Sequence, residues 1–256
     1  MIEYGLQLYS LRDITKDDMK EALRRVAEMG YKYVEFAGFF GHPAEDVKAW
    51  LDEFGLKASA THTSYAELMP YNIKKTVEYH KAIGCNTVIV PGTVYNTPEE
   101  LELSVALFNY AEKYLKNEGL SFGYHNHSGE FYPTPYGKVV EDEIINRTDA
   151  MLEIDVFWLF NAGIDPVTYL EAHKDRISVI HLKDGDIPVG EVRDFKTAHN
   201  GVVGKSLGLG MAPIAQVREW ALKNNVLMVV ESEGLEPTGS EEVKRCIDYL
   251  RSLETN

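Results

Sequence analysis

Short β-rich runs and amphipathic helical stretches alternate along this chain, and few architectures accept that pattern. The β-rich runs fall at about Tyr4–Tyr9, Tyr33–Ala37, Lys57–His62, Thr87–Pro91, Ser121–His127, Met151–Phe157, Ile177–Lys183 and Leu227–Glu233. After the first run, Met19, Leu23, Val26 and Ala27 form an apolar stripe at helical spacing, with Gly30 placed as a C-cap. Further helical stretches cover about Pro43–Phe54, Ile73–Ile83, Pro98–Asn117, Val139–Asn146, Pro166–His173, Pro213–Asn224 and Glu241–Leu253. Several open with proline in the first turn behind a capping residue such as Thr97 or Asp165. Eight strand–helix units in 256 residues leave roughly 32 residues each, which suits a (β/α)8 barrel. A doubly wound sheet usually carries a glycine-rich turn after its first strand; here the first strand runs into Ser10-Leu11-Arg12-Asp13. With no linker or low-complexity segment, the expectation is an α/β chain forming one barrel domain over residues 1–256.

Charge narrows the partners. A net charge of −14 counts against nucleic acid, which needs clustered Lys and Arg, and against an anionic membrane surface. A small, neutral, polar molecule fits better. No apolar run approaches the ~20 residues of a membrane-spanning helix. Met1-Ile2-Glu3-Tyr4-Gly5-Leu6 lacks the basic region and long apolar stretch of a secretory leader. The two cysteines, Cys85 and Cys246, stand apart on helical stretches and are expected as buried, reduced thiols, so a cytoplasmic address is expected.

Four of the β-rich runs end in clusters of metal-capable residues: Tyr124-His125-Asn126-His127, Glu153-Ile154-Asp155, His181-Leu182-Lys183-Asp184 and Glu231-Ser232-Glu233. Reactive members sit two apart, the strand period, so both members of a pair point to one side of the sheet. A (β/α)8 barrel draws its active-site residues from the C-terminal strand ends and the loops that follow. Burying so many ionisable groups is costly, and a divalent cation is the simplest compensation. A lone inward His or Glu is more often hydrogen-bonded core or rim; four clusters on successive strands favour the metal reading. Two connections also look enlarged, Ser128–Lys138 and Gly185–Met211, and both follow strands that carry clusters. A substrate lid is expected there rather than a disordered insert.

On these motifs the chain resembles the xylose isomerase-like superfamily of barrels, which includes D-tagatose 3-epimerase, inosose dehydratase and endonuclease IV. The resemblance spans nearly the whole length, from Gly5-Leu6-Gln7-Leu8-Tyr9-Ser10 to Val229-Val230-Glu231-Ser232-Glu233. Asp155-Val156-Phe157-Trp158 resembles the sixth-strand motif whose Asp binds metal; His181 and Glu231 resemble the metal-binding His and Glu of the next two strands. Leu207-Gly208-Leu209-Gly210 with Pro213 resembles the Gly-x-Gly turn before the seventh helix. The resemblance implies one divalent metal ion held by His125, Asp155, His181 and Glu231. Two carboxylates with two histidines suit manganese, zinc, cobalt or iron better than magnesium or calcium. One departure stands out: sugar 3-epimerases place a metal-binding, proton-transferring Glu on the fifth strand, where this chain has His125, with His127 next. That His-rich strand is more like inosose dehydratase.

The expected activity is a metal-dependent isomerase or epimerase of a small sugar, keto-sugar or polyol, acting through an enediolate. Glu231 would remove the proton next to the carbonyl, with His125 or His127 on the opposite face. A histidine that protonates a departing hydroxyl would give dehydration instead, so an inosose-type dehydratase is the rival. A sugar-binding protein without turnover is a weaker alternative, and abasic-DNA cleavage is opposed by the charge. Lys183 is read either as a cationic donor to substrate or as an ion-pair partner of Glu153 or Glu233. Gln7, Glu35, His62, Glu130, Trp158 and Glu233 are the candidate substrate contacts, with Tyr9 as a possible sugar platform or plain core. His42, His80 and His173 are expected at the surface, His199 is left undecided, and a homo-oligomer is left open.

Overall fold

A computed structural model describes residues 2–188, 190 and 193–254. Eight parallel strands close into a barrel in the order β1 (Gly5–Gln7), β2 (Tyr33–Phe36), β3 (Lys57–His62), β4 (Thr87–Val90), β5 (Ser121–His125), β6 (Met151–Asp155), β7 (Ile177–Leu182) and β10 (Leu227–Val230). The ring shuts where Gly5 and Leu6 pair with Val229 and Val230. Gly5 is needed at that seam, because a Cβ there would meet Val229 Cγ2 at 2.9 Å. The helices are α1 (Arg12–Thr15), α2 (Met19–Glu28), α3 (Ala44–Phe54), α4 (Ile73–Ile83), α5 (Pro98–Asn117), α6 (Val140–Arg147), α7 (Val156–Asn161), α8 (Pro166–Ala172), α9 (Ile214–Asn224) and α10 (Gly239–Ser252). Two short strands, β8 (Asp184–Asp186) and β9 (Val203–Lys205), pair antiparallel above the barrel.

Caps set where helices begin. Thr97 Oγ1 accepts from the amide of Glu100 at 3.2 Å, and Asp165 Oδ1 from that of Thr168 at 2.8 Å. Each satisfies an amide that lacks an intrahelical partner. Outward-facing strand residues such as Leu6, Val34, Phe36, Leu152, Ile154, Ile180 and Leu182 pack in one apolar cluster with residues of the helices; Val88, Val90, Phe122 and Tyr124 belong to a second.

Several local expectations are corrected. The sixth strand stops at Asp155 instead of running to Phe157, because the Asp155 carboxylate caps α7. Its Oδ1 accepts from the amides of Phe157 and Trp158 at 2.9 and 3.0 Å. The first strand ends at Gln7, and Leu8–Leu11 turns into a 3-10 helix. Cys85 lies just past the end of α4 rather than on a helix; both thiols are buried and free, and burial pushes each up to about 12. His80 is buried, not a surface residue: its Nδ1 donates to the Thr76 carbonyl, so Nε2 accepts from Thr61 Oγ1 at 2.6 Å. The long connection holds β8 and β9, and its residues 189, 191 and 192 lie outside the described residues. Among the described residues no helix is long and apolar enough to cross a membrane.

Asp184, the last member of the seventh-strand cluster, organises this connection and does not face the barrel interior. Its carboxylate accepts from the amides of Gly185, Gly208, Gly210 and Ala212 at 2.9 to 3.1 Å. Gly208 has φ +82, and a Cβ on Gly210 would collide with the Asp184 carboxylate and the Gly185 backbone. The Gly-x-Gly turn therefore exists to let backbone wrap one carboxylate.

Candidate active site

Inward-facing polar side chains fill the barrel in two levels. The lower level holds Gln7 and Glu35, a register pair of β1 and β2, with His62 from β3 and Glu153 from β6. Glu153 Oε2 is the hub, 2.7 Å from His62 Nε2, 3.2 Å from His125 Nδ1 and 3.3 Å from His181 Nε2. Glu35 Oε1 accepts from Gln7 Nε2 at 2.5 Å and lies 2.9 Å from His181 Nε2 and 3.0 Å from His62 Nε2. Above it, Asp155 and His181 pair in register, Glu231 Oε2 is 2.9 Å from His181 Nδ1, and Lys183 Nζ is 2.6 Å from Glu233 Oε1. Lys183 Nζ is also 3.8 Å from both Asp155 and Glu231, and 4.5 Å from the centre of the Trp158 ring.

Burial and neighbouring charge compete throughout. Burial alone would raise Glu35, yet the charges of His181 and His62 outweigh it and hold the carboxyl well below its usual range. Burial would lower His62, but Glu35 and Glu153 push it up to about 9; Glu153 and Glu35 likewise hold His181 well above its usual range. His125 goes the other way, because burial and then the cations of His62 and His181 all disfavour its charged form. Asp155 is pushed up to about 6 by burial, which Lys183 only partly offsets. Glu231 is held low because Lys183 and His181 outweigh its burial.

Among the described residues, two donor groups have ligand atoms within 4.8 Å of one another: His125, Asp155, His181 and Glu231, and, lower down, His62, His125, Glu153 and His181. The first is the set that the family resemblance implies. Asp155 spends Oδ1 on capping α7 and leaves Oδ2 buried with no hydrogen-bond partner. An orphaned, buried carboxylate oxygen beside two imidazoles and a second carboxylate fits a divalent cation. Glu35, bound to the Nε2 of His181 while Nδ1 faces Glu231, has the geometry of a group that orients a ligand histidine.

Two cavities open over this floor. One, about 460 Å³, is bordered by Tyr9, His62, Glu67, His125 and Glu231; the other, about 510 Å³, by Phe157, Trp158, Lys183, His199 and Val202. His127 and Glu233 border both. His127 Nδ1 stands 3.8 Å from Glu130 Oε1, and the Tyr124 hydroxyl donates to the same oxygen at 3.0 Å. Burial opposes the charged form of Glu130, but His127 and the hydrogen bonds around it prevail and lower its pKa.

The expected substrate contacts thus divide. His62, Trp158 and Glu233 border the cavities, and Tyr9, 45% exposed, lies at the mouth and not in the core. Gln7 and Glu35 are corrected: both are 0% exposed, locked to one another beneath the floor, and out of reach of a substrate. Glu130, 2% exposed, stands behind His127 instead of facing the cavity. Lys183 is ion-paired with Glu233, one of the two partners expected for it, not with Glu153. His125 is 1% exposed, which leaves His127 as the accessible member of the fifth-strand pair. Sequence reasoning undervalued Glu153 as the hub, although its period-two spacing from Asp155 carried the signal. It did not place His199 at the mouth, since a long connection has no periodicity to read.

The closed parallel barrel and the His/Asp/His/Glu group at its C-terminal strand ends define a (β/α)8 barrel with a metal-capable site. The chain belongs to the xylose isomerase-like TIM barrel family, whose model matches residues 23–253. It is similar to an inosose dehydratase of Mesomycoplasma hyopneumoniae, 26% identical with 93% of each chain covered. An inosose dehydratase of Geobacillus kaustophilus is 25% identical over 70% of this chain and 67% of its own. A solved sugar phosphate isomerase/epimerase from Parabacteroides distasonis superposes with a TM-score of 0.77 at 28% identity, covering 97% of both chains. Family and relatives point to an enzyme of the sugar isomerase, epimerase and dehydratase class acting on a small polar substrate.

Proposed function

We propose that this chain removes the proton next to the carbonyl of a small, unphosphorylated cyclic polyol ketone and expels the neighbouring hydroxyl as water. The observation that carries this reading is the asymmetry across the cavities. A carboxylate, Glu231, borders one, while a histidine backed by a carboxylate, His127 with Glu130, stands where the two cavities meet. The similarity to inosose dehydratases over 93% of each chain supports dehydration over epimerisation. That reverses the order expected from sequence, where epimerisation led.

A divalent cation held by His125, Asp155, His181 and Glu231 would supply Lewis-acid polarisation of the ketone oxygen. Glu231, held ionised by Lys183 and His181, takes the α-proton as general base. His127 gives a proton to the departing hydroxyl, with the Glu130 carboxylate 3.8 Å from its Nδ1. Glu35 holds His181 from below, and Glu153 Oε2 lies 3.2 Å from His125 Nδ1. Lys183 balances the carboxylates of Asp155, Glu231 and Glu233, so it brings no spare positive charge for a phosphate. The test is NMR of inosose with the Mn²⁺-loaded protein in deuterated water: the expected product has lost a hydroxyl. An epimer carrying one deuterium and no loss of water would move the assignment to the isomerase and epimerase branch.

A further inference from the structure

His199 stands outside the roles described so far. It comes from the connection between β8 and β9, yet its ring packs edge-on against Trp158 with centroids 4.8 Å apart and lies 5.7 Å from the ring of His127. The backbone beside it is clamped. Asn161 Nδ2 donates to the Ala198 carbonyl and to Ser128 Oγ, both at 2.7 Å. Arg193 donates to that same carbonyl at 3.2 Å and to the Asn161 carbonyl at 2.9 Å. Ser128 Oγ in turn donates to the Trp158 carbonyl at 3.0 Å. These bonds tie the connection to the ends of β5 and α7, so His199 is a fixed part of the cavity wall.

Position gives the ring its chemistry. Glu231 borders the first cavity, His199 the second, and His127 belongs to both. A six-membered polyol ring with its α-carbon at Glu231 that spanned both cavities would pass His127 and meet His199, whose ring lies 5.7 Å from that of His127. We propose that His199 is a specificity-determining residue that hydrogen-bonds the departing hydroxyl and holds it against His127. His199 is exposed overall; partial burial of its ring, and then the charge of His127, lower the imidazole pKa. A neutral ring donates from one nitrogen and accepts at the other, which suits a hydroxyl. The step balances within the site. The C–H pair left when Glu231 takes the proton becomes the new C=C bond. The neighbouring C–O bond breaks with its electrons on oxygen, and the proton from His127 makes that oxygen water.

This inference rests on the dehydration reading, and its test separates the two. Inosose is incubated with the Mn²⁺-loaded protein in deuterated water, and NMR follows deuterium uptake at the α-carbon and loss of hydroxyl. His199→Phe keeps an aromatic ring against Trp158 but removes both nitrogens. It is expected to slow elimination about tenfold or more while α-exchange stays within about threefold, and His199→Gln should recover part of the loss. A wall residue that only packs would give the reverse, with Phe active and Gln impaired. That pattern, or exchange and elimination falling together, or no effect, overturns the proposal. If the unaltered protein neither exchanges nor dehydrates inosose, the dehydration reading fails, and calorimetric binding of myo-inositol decides on His199. Binding about tenfold weaker in His199→Phe supports the contact. Equal affinity, or no binding by the unaltered protein, overturns it.

Discussion

Leu152 and Ile154 on β6 point out of the barrel; Glu153 and Asp155, interleaved with them, point in, and all four are fully buried. The same alternation holds at the end of β7, where Ile180 and Leu182 alternate with His181 and with Lys183, one residue past the strand. Burial is matched while the chemistry is opposite. Outward residues give up apolar surface to helices, which stabilises by about 25 cal/mol per Å². Inward residues give up hydration of charge, which opposes folding unless a partner or ion replaces the water. Burial of polar groups at the strand ends is thus a functional signature, whereas equal burial one residue away is a structural one.

Substitutions on the two faces separate those contributions. The largest effect is expected from Glu231→Gln, which removes the base while keeping the shape: turnover should fall by roughly 10² to 10⁴, with some loss of stability as Lys183 and His181 lose a buried carboxylate. Steady-state kinetics beside a thermal melt checks this, and a variant that stays active would place the base elsewhere. Ile154→Ala should do the reverse, costing about 2 to 5 kcal/mol of stability with metal binding retained in the folded fraction. Denaturant unfolding combined with a metal titration measures both. Glu35→Gln, beneath the floor, should weaken Mn²⁺ binding by roughly 10- to 100-fold by releasing the Nε2 side of His181. An unchanged affinity would reduce Glu35 to packing.

A fourth expectation concerns a buried acid away from the metal set. Glu141 on α6 accepts from the Tyr169 hydroxyl at 3.0 Å, its other oxygen has no partner, and burial with the nearby charge of Glu130 pushes it up to about 8. A carboxyl whose folded pKa is raised above the unfolded value of 4.5 stabilises fully below that value. The contribution is lost as pH rises toward about 8. Glu141→Gln should therefore gain on the unaltered protein as pH rises through that window, by at most about 1.4 kcal/mol per pH unit. Paired unfolding curves at pH 5 and pH 8 test it, and parallel pH profiles would contradict it.

Much of this arrangement was legible because strand alternation is a one-dimensional signal. The period-two clusters placed candidates at four strand ends, among which the family resemblance singled out Asp155, His181 and Glu231, and the helix patterns set the ends of α4 and α5 at the residues observed. Depth along the barrel axis was not legible. Spacing says that Glu35 and Gln7 face inward, yet only register puts them beneath the floor. Val156 and Phe157 read as strand, but the cap made by Asp155 turns them into helix. His80 reads as a surface residue until the Thr61 hydroxyl beneath α4 is in place. His199 depended on contacts from the clamp made by Asn161 and Arg193, which no local pattern announces.

The most direct test of the inward charges as a metal site is an Mn²⁺ titration followed by electron paramagnetic resonance, on the unaltered protein and on Asp155→Ala. The account predicts saturable binding of a single ion by the unaltered protein, and a loss of at least about 100-fold in affinity in a variant that still melts cooperatively. Equal binding by both proteins, or none by either, would contradict it.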